Sequence, residues 1–409
     1  MKEVVKSYEA LFQPITIGKV EIKNRIAMAP LATHQATPDG YVNNQIKAWY
    51  VARAKGGTGL IITCPVMTNP RTAQGTPIFN VRLYDVRHKA GMSELAEFVH
   101  ASGAKIFANL APGGGRQTGG GPSPSAIPME YYPEMLPEKA HKEHEKRGLH
   151  FGLFDYRNSP IPGVLTIAEI IEIEDYVANA VLLARQCGYD GVELAFAHGH
   201  LGHQFFSSRT NKRDDLYGGT FKNRTRFFMN VLKKARDKVG RDFCMGFRIS
   251  GEEHLPEGLT HDEVKEICQQ AEASVDYIHL SDGCYEVAKY VFPDEDGTML
   301  KYAKSLKSIL KIPVLTPSIH DPEAAAKAIR SGETDMVAHG RPLIADPNWV
   351  NKVASGEKIV RCIRCDIGCM RFISENAPLR CLVNPEAGLE EYVPEYHLSR
   401  PFKKHWYHP

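Results

Sequence analysis

Apolar residues in this chain follow two alternating periodicities. Short runs of β-branched character occur at Ile26–Ala29, Gly59–Thr63, Lys105–Asn109, Gly191–Leu194, Phe243–Arg248, Tyr277–Leu280, Val314–Thr316 and Met336–Ala338. Runs of this length and composition predict buried strands. Stretches with the three-to-four-residue spacing of one helical face lie between them, at Gln45–Lys55, His88–Ala101, Ile167–Gln186, Asn223–Val239, His261–Ala273, Leu300–Leu310, Pro322–Ser331 and Asp346–Ala354; these predict amphipathic helices. Before the first strand, Ile15–Ile22 alternate around Gly18-Lys19 and predict a small hairpin. Strictly alternating strands and helices imply an α/β protein with a parallel sheet. A doubly wound open sheet normally begins with a Gly-x-Gly-x-x-Gly turn after its first strand, and Ile26–Pro30 leads into no such turn. The predicted fold is therefore a TIM (β/α)8 barrel, with functional residues at the C-terminal ends of its strands.

The longest interruption, residues 112–162, follows the third strand. It opens with Gly113-Gly-Gly-Arg116, passes through a Pro-rich run and continues into a charged stretch, Glu138–Arg147. Its place on the C-terminal face suggests a lid or pocket wall, with a solvated surface excursion as the plain alternative. The chain divides into a barrel, 1–360, and a final segment, 361–409, with too few apolar residues to fold alone. That segment is expected to pack on the barrel.

Composition narrows the partners. The chain has 409 residues, 43% hydrophobic and 24% charged, with a formal net charge of +2. Near-neutral charge offers no electrostatic case for nucleic acid or an anionic membrane. No apolar run reaches membrane-spanning length, and the opening Met-Lys-Glu-Val-Val-Lys lacks a signal-peptide core. The expected location is the cytoplasm.

Four of the nine cysteines fall close together, as Cys362-x2-Cys365-x3-Cys369-x11-Cys381. Close spacing lets three thiolates face one centre while a following segment supplies the fourth. Soft thiolates select zinc or an iron–sulfur cluster. Zinc sites usually pair two Cys-x2-Cys knuckles; three bunched cysteines with one remote are closer to [4Fe–4S] ligation. Disulfides are disfavoured in a chain without a secretory signal. Cys187, Cys244, Cys268 and Cys284 read as small buried residues.

Several stretches together resemble the iron–sulfur branch of the Old Yellow Enzyme family, which includes 2,4-dienoyl-CoA reductase, 2-enoate reductase and trimethylamine dehydrogenase. They are Asn24-Arg-Ile-Ala-Met-Ala-Pro30, Arg53-Ala-Lys-Gly-Gly57, Pro124-Ser-Ala-Ile-Pro128, Gly191-Val-Glu193, His198-Gly-His-Leu201, Asn211–Gly219, Gly340-Arg-Pro342, Ala345-Asp-Pro347 and the cysteine run through Cys381-Leu-Val-Asn-Pro385. The resemblance implies FMN across the strand ends and a [4Fe–4S] cluster on Cys362, Cys365, Cys369 and Cys381. By the same resemblance, Pro30, Leu31 and Ala32 would line the flavin N5 side, Thr63, Cys64 and Asn109 its pyrimidine edge, and Arg248 its negatively charged N1 and O2 region. Asn109 stands where a glutamine is usual. Ser318, Ile319, Gly340 and Arg341 would hold the phosphate, through backbone N–H donors and a guanidinium fork.

On the substrate side, the resemblance places His200 and Tyr285 at the proton-donor positions, with residue types exchanged, and His198 where a substrate carbonyl is held. The expected reaction is reduction of an activated C=C bond in an enone, enoate or enoyl thioester, because electron withdrawal is needed for hydride acceptance. Two rivals stand beside it. One is an amine dehydrogenase like trimethylamine dehydrogenase, although Ala32 has no thiol to bond a flavin and Ala195 breaks the Tyr-His-Asp set. The other is an electron-transfer flavoprotein subunit. No second Gly-x-Gly-x-x-Gly turn follows the cysteines, so electrons are expected from a separate ferredoxin, flavodoxin or NAD(P)H-oxidising flavoprotein. Arg361, Arg364, Arg371, Lys403 and Lys404 would meet an acidic carrier. A homo-oligomer is compatible with the sequence.

Overall fold

The computed structural model describes residues 5–73, 80–149 and 156–396. Its strands are β1 (Ile15–Ile17), β2 (Val20–Ile22), β3 (Ile26–Met28), β4 (Leu60–Ile62), β5 (Val66–Met67), β6 (Val81–Arg82), β7 (Lys105–Ala111), β8 (Gly191–Phe196), β9 (Cys244–Ser250), β10 (Tyr277–Ser281), β11 (Val314–Pro317) and β12 (Met336–His339). β3, β4 and β7 to β12 pair in parallel in that order, and β12 pairs back onto β3. The eight predicted strands thus close into a TIM (β/α)8 barrel. Strands buried on both faces cannot alternate apolar with polar residues, which is why they read as unbroken apolar runs.

β1 and β2 form the predicted antiparallel hairpin. Its Ile17 and Ile22 pack against Ala27, Leu60, Ile62, Phe107, Leu315 and Met336 inside the barrel, closing the N-terminal end. Each apolar side chain of this size contributes about 1.5–3 kcal/mol when fully buried.

The helices are set by their caps and apolar stripes. Thr166 with Glu169 and Thr260 with Glu263 form reciprocal capping boxes. The helix Ile167–Gln186 buries Ile170, Ile173, Val177, Val181 and Ala184, a continuous stripe at three- and four-residue spacing. Where boundaries differ from the sequence expectation, pairing explains it. β7 runs on to Ala111 because Leu110 and Ala111 pair with β5, which the sequence did not suggest. β8 continues to Phe196 opposite Ile249. The last barrel helix starts at Trp349 rather than Asp346, because Asp346 forms a turn before it, accepting from the Asn348 amide at 3.1 Å.

After Ser355 the chain has little regular structure. It lies on the barrel through the buried side chains of Leu379 and Ala387, a Leu379 amide that donates to the Thr33 carbonyl at 3.0 Å, and several polar tethers. The amides of Gln35 and Gln45 donate to the Gly388 carbonyl at 3.1 and 2.7 Å, and Asn384 donates to the Ile344 carbonyl at 2.8 Å. A fully buried Arg53–Glu390 ion pair at 2.5 Å fastens its far end, with Trp49 stacked on the guanidinium. The insertion contains the helix Glu138–Glu145, whose Ala140 packs on Met370 of the cysteine segment. Residues 150–155 of the insertion, and Lys403 and Lys404, lie outside the described residues. No described helix is long and apolar enough to cross a membrane.

Candidate active site

The strand ends bring His198, His200 and Tyr285 together. His198 follows β8 in a left-handed backbone conformation, φ +63°. Such a conformation in a non-glycine residue persists only where its surroundings enforce it. Here its amide donates to Ser250 Oγ at 3.0 Å and its carbonyl accepts from the Tyr285 amide at 3.3 Å. The Tyr285 ring lies nearly parallel to His198 at 5.7 Å and to Phe292 at 6.1 Å, and meets the His200 ring edge-on at 5.3 Å.

Arg248, on β9 between Ala195 and His279, reaches the same mouth. Its contacts are long: Nη1 donates to the Pro30 carbonyl at 3.4 Å and Nη2 to Ser281 Oγ at 3.3 Å. Ser281 Oγ also bonds His198 Nε2. Burial keeps both histidines uncharged: it pushes His200 down to about 4 and His198 well below the usual imidazole range, with Arg248 adding repulsion. Burial raises the Tyr285 phenol, and Arg248 partly opposes it.

Beneath the mouth lies a buried network that the sequence reading did not include. His279 Nδ1 bonds Glu193 Oε2 at 2.7 Å, and Asn109 Nδ2 donates to Glu193 Oε1 at 2.8 Å. A signal was available: Glu193 and His279 each interrupt an apolar strand, and a charged group there needs a partner. Asn109 takes part in this network, with its amide nitrogen engaged by Glu193. Its side-chain oxygen is what remains for a ligand edge.

The other predicted flavin residues ring the mouth. Pro30, Leu31 and Ala32 follow β3 half-buried. Thr63 Oγ1 donates to the Cys64 carbonyl at 3.1 Å, and the Cys64 amide donates to Tyr50 Oη at 2.5 Å. Burial pushes the Cys64 thiol up to about 11. Ser318 and Ile319 follow β11, with Ser318 at φ +61°. A Cβ at Gly340 would meet only Leu31 Cδ2, at 3.8 Å, so the backbone there is open to close approach. Unpartnered buried nitrogens gather at these strand ends: Arg248 Nε, His200 Nδ1, His320 Nδ1 and both ring nitrogens of His339. An extended anionic ligand with polar edges, as FMN is, fits this set of donors.

Arg341 is placed differently from the sequence expectation. Its guanidinium donates to Asp366 at 3.3 Å and to the Pro293 carbonyl at 3.1 Å, because the buried Asp366 carboxylate requires a counter-charge. It thereby forms the wall of a narrow cleft that is also lined by Cys362, Cys365, Cys369 and Cys381. A phosphate at Gly340 would share Arg341 with Asp366. Among the described residues, no group of three or more His, Cys, Asp or Glu side chains is arranged to hold a metal ion. Burial raises the thiols of Cys362, to about 11, and of Cys369, while Arg341 pulls both down.

A second cavity abuts Cys362 and is also lined by Asp296, His320, Asp321, Arg361 and Arg364. The basic residues expected to meet an acidic carrier have acidic partners here. Arg361 pairs with Asp321 at 3.2 Å, Arg371 with Glu375 at 2.8 Å, and Arg364 with Asp296. Their net field is correspondingly weak.

A barrel with a donor-lined mouth, fed by the loops after β11 and β12, defines a flavin-binding oxidoreductase. The model of the NADH:flavin oxidoreductase / NADH oxidase family matches residues 10–359, and the chain belongs to that family. It is 38% identical over 409 residues to the NADH oxidase of Thermoanaerobacter brockii, covering 96% of this chain and 58% of that protein. It is 32% identical over 427 residues to the cinnamate reductase of Clostridium sporogenes, covering 96% and 60%. Among solved structures, it resembles 2-naphthoyl-CoA reductase with a TM-score of 0.83 and 28% identity, over 95% of this chain and 58% of that one. The chain thus spans somewhat over half the length of these relatives.

Proposed function

We propose that this protein is an ene-reductase of the iron–sulfur branch of the Old Yellow Enzyme family, reducing the C=C bond of an enone, enoate or enoyl thioester. The observation that carries the reading is the convergence of His198, His200 and Tyr285 beside Arg248 at one end of the barrel. The cinnamate reductase and 2-naphthoyl-CoA reductase likenesses support this substrate class. FMN held at the mouth would supply hydride chemistry, and a cluster on the four cysteines would supply single electrons.

The chain's own residues divide the remaining work. Ser281 accepts from Arg248 and has one hydroxyl hydrogen to give to His198 Nε2. That leaves His198 Nδ1 to carry the ring hydrogen and to donate to the substrate carbonyl. A neutral histidine is a poor proton source, so His198 and His200 act as hydrogen-bond donors that withdraw electron density. Tyr285, kept as a phenol by burial, transfers its proton to the α-carbon. Arg248 stabilises negative charge at the flavin's polar edge and favours the tyrosinate left after proton transfer.

The four cysteines are assigned to a four-iron cluster rather than zinc on their spacing, three bunched and one remote. Electrons would enter the cleft they line from a separate donor.

The test is anaerobic reoxidation of the pre-reduced protein by a panel of enones, enoates and enoyl thioesters. At least one should reoxidise the flavin with formation of the saturated product. Absence of any saturated product, with electrons passing only to a redox protein, would leave the electron-transfer reading instead.

A further inference from the structure

The insertion is stitched to the mouth at the very residues that carry the proposed chemistry. Glu286, the neighbour of Tyr285, is 2% exposed, and each of its carboxylate oxygens takes one contact from the insertion. Oε2 accepts from Arg116 Nη2, and Oε1 accepts from the Glu130 backbone amide at 2.7 Å. Arg116 is equally buried, and its Nη1 donates to the Pro128 carbonyl at 2.7 Å. On the opposite side of the mouth, Gln117 donates to the His198 carbonyl, and the Leu201 amide donates to the Gly113 carbonyl at 3.1 Å. Gln204 completes the seam, donating to the carbonyls of Gly114 at 3.1 Å and Gly199 at 2.7 Å.

A buried ion pair is a costly way to hold a loop, since both charges lose their hydration. Apolar residues would fasten it as firmly. What a charge pair with forked hydrogen bonds adds is orientation. Glu286 lies in the turn Tyr285–Val287, so a displacement of the backbone that its carboxylate anchors also displaces Tyr285.

We propose that Arg116 and Glu286 are positioning residues that couple the 112–162 insertion to Tyr285, so that the seated insertion aims the phenol at the substrate α-carbon. The inference rests on Tyr285 as the acid, and the experiment separates the two ideas. The variants are Glu286→Gln, the double change Arg116→Met with Glu286→Gln, and Tyr285→Phe. The double variant leaves neither member of the buried pair charged, so it reports the positioning role even if the single change costs stability. Each is reduced anaerobically with dithionite and mixed, in H2O and D2O, with the panel acceptor that oxidises the wild-type protein fastest.

Glu286→Gln and the double variant should slow reoxidation by about 10-fold or more and enlarge the solvent deuterium isotope effect, because the misaimed proton transfer becomes limiting. Flavin content and the rate of dithionite reduction should stay at wild-type values. A folded double variant with wild-type rate and isotope effect overturns the positioning role. Wild-type behaviour of Tyr285→Phe, together with slow Glu286→Gln, instead overturns the assignment of the acid.

Discussion

The barrel mouth and the cysteine segment are both candidate redox sites, yet they are built by opposite means. At the mouth, Arg248 is on a paired strand, held by Ala195 and His279 on its two sides, and His198, His200 and Tyr285 follow within four residues of a strand end. The segment around Cys362–Cys381 has only short turns, Ile367–Arg371 and Phe372–Ser374, and is anchored by the buried Leu379 and Ala387 and by side-chain tethers to Gln35, Ile344 and Arg53. The mouth is therefore expected to keep its geometry with or without ligand. The segment should depend on what its thiols bind and on a few buried polar contacts, since metal binding to such segments is itself folding free energy.

The sharpest break is at the cysteines. Cys369→Ala should abolish cluster binding, taking iron and acid-labile sulfide from about four each per chain to near zero. FMN content should remain, measured as flavin released on acid precipitation. Stoichiometric zinc without sulfide in the wild-type protein would break the comparison outright. Next comes the acid at the mouth: Tyr285→Phe should slow reoxidation by an enone by roughly 10²–10⁴-fold while leaving dithionite reduction untouched. If His200→Phe alone produces that loss, the donor is His200.

The tether comes third. Arg53→Met leaves Glu390 buried without its partner and should cost about 3–5 kcal/mol, read as an early transition in thermal unfolding, with the barrel's own transition little changed. A single unshifted transition would mean that the segment does not rely on this pair. The mouth carries an acid sensitivity of its own. Burial pushes His34 and His339 down to about 4. A depressed histidine favours the folded state fully above its unfolded pKa, and that contribution is lost as pH falls through the window from about 6.5 to about 4. For fully buried His339 the loss is at most about 3 kcal/mol, and His339→Phe should flatten the fall of melting temperature across this window. Finally, Arg341→Ala probes the seam between the two regions. If phosphate and Asp366 share the guanidinium, FMN affinity drops by about 1.5–3 kcal/mol; if Asp366 alone uses it, FMN stays bound and cluster retention suffers.

The barrel was legible in the chain because its code is local. A fully buried parallel strand must be a short apolar run, and a helix covering it must show one apolar stripe; both properties can be read within about a dozen residues. The cysteine spacing was legible for the same reason, since three of the four thiols lie within one short stretch. His198, His200 and Tyr285 came from motif resemblance rather than periodicity, and their convergence across two strand ends is a property of closure.

What the tertiary structure alone decided concerns partners far apart in sequence. The sequence placed Arg341 beside a phosphate loop by its position after Gly340, but a buried carboxylate at Asp366 draws it to the cysteines. Asn109 was placed at a ligand edge, but Glu193 on the adjacent strand takes its amide. Arg364 was part of a basic patch on paper and is paired in space with Asp296. In each case the reason is the same. Burial raises the cost of an unpaired polar group far above any local preference, and which group is near enough to pair is settled only when the sheet closes and the last segment folds back across it.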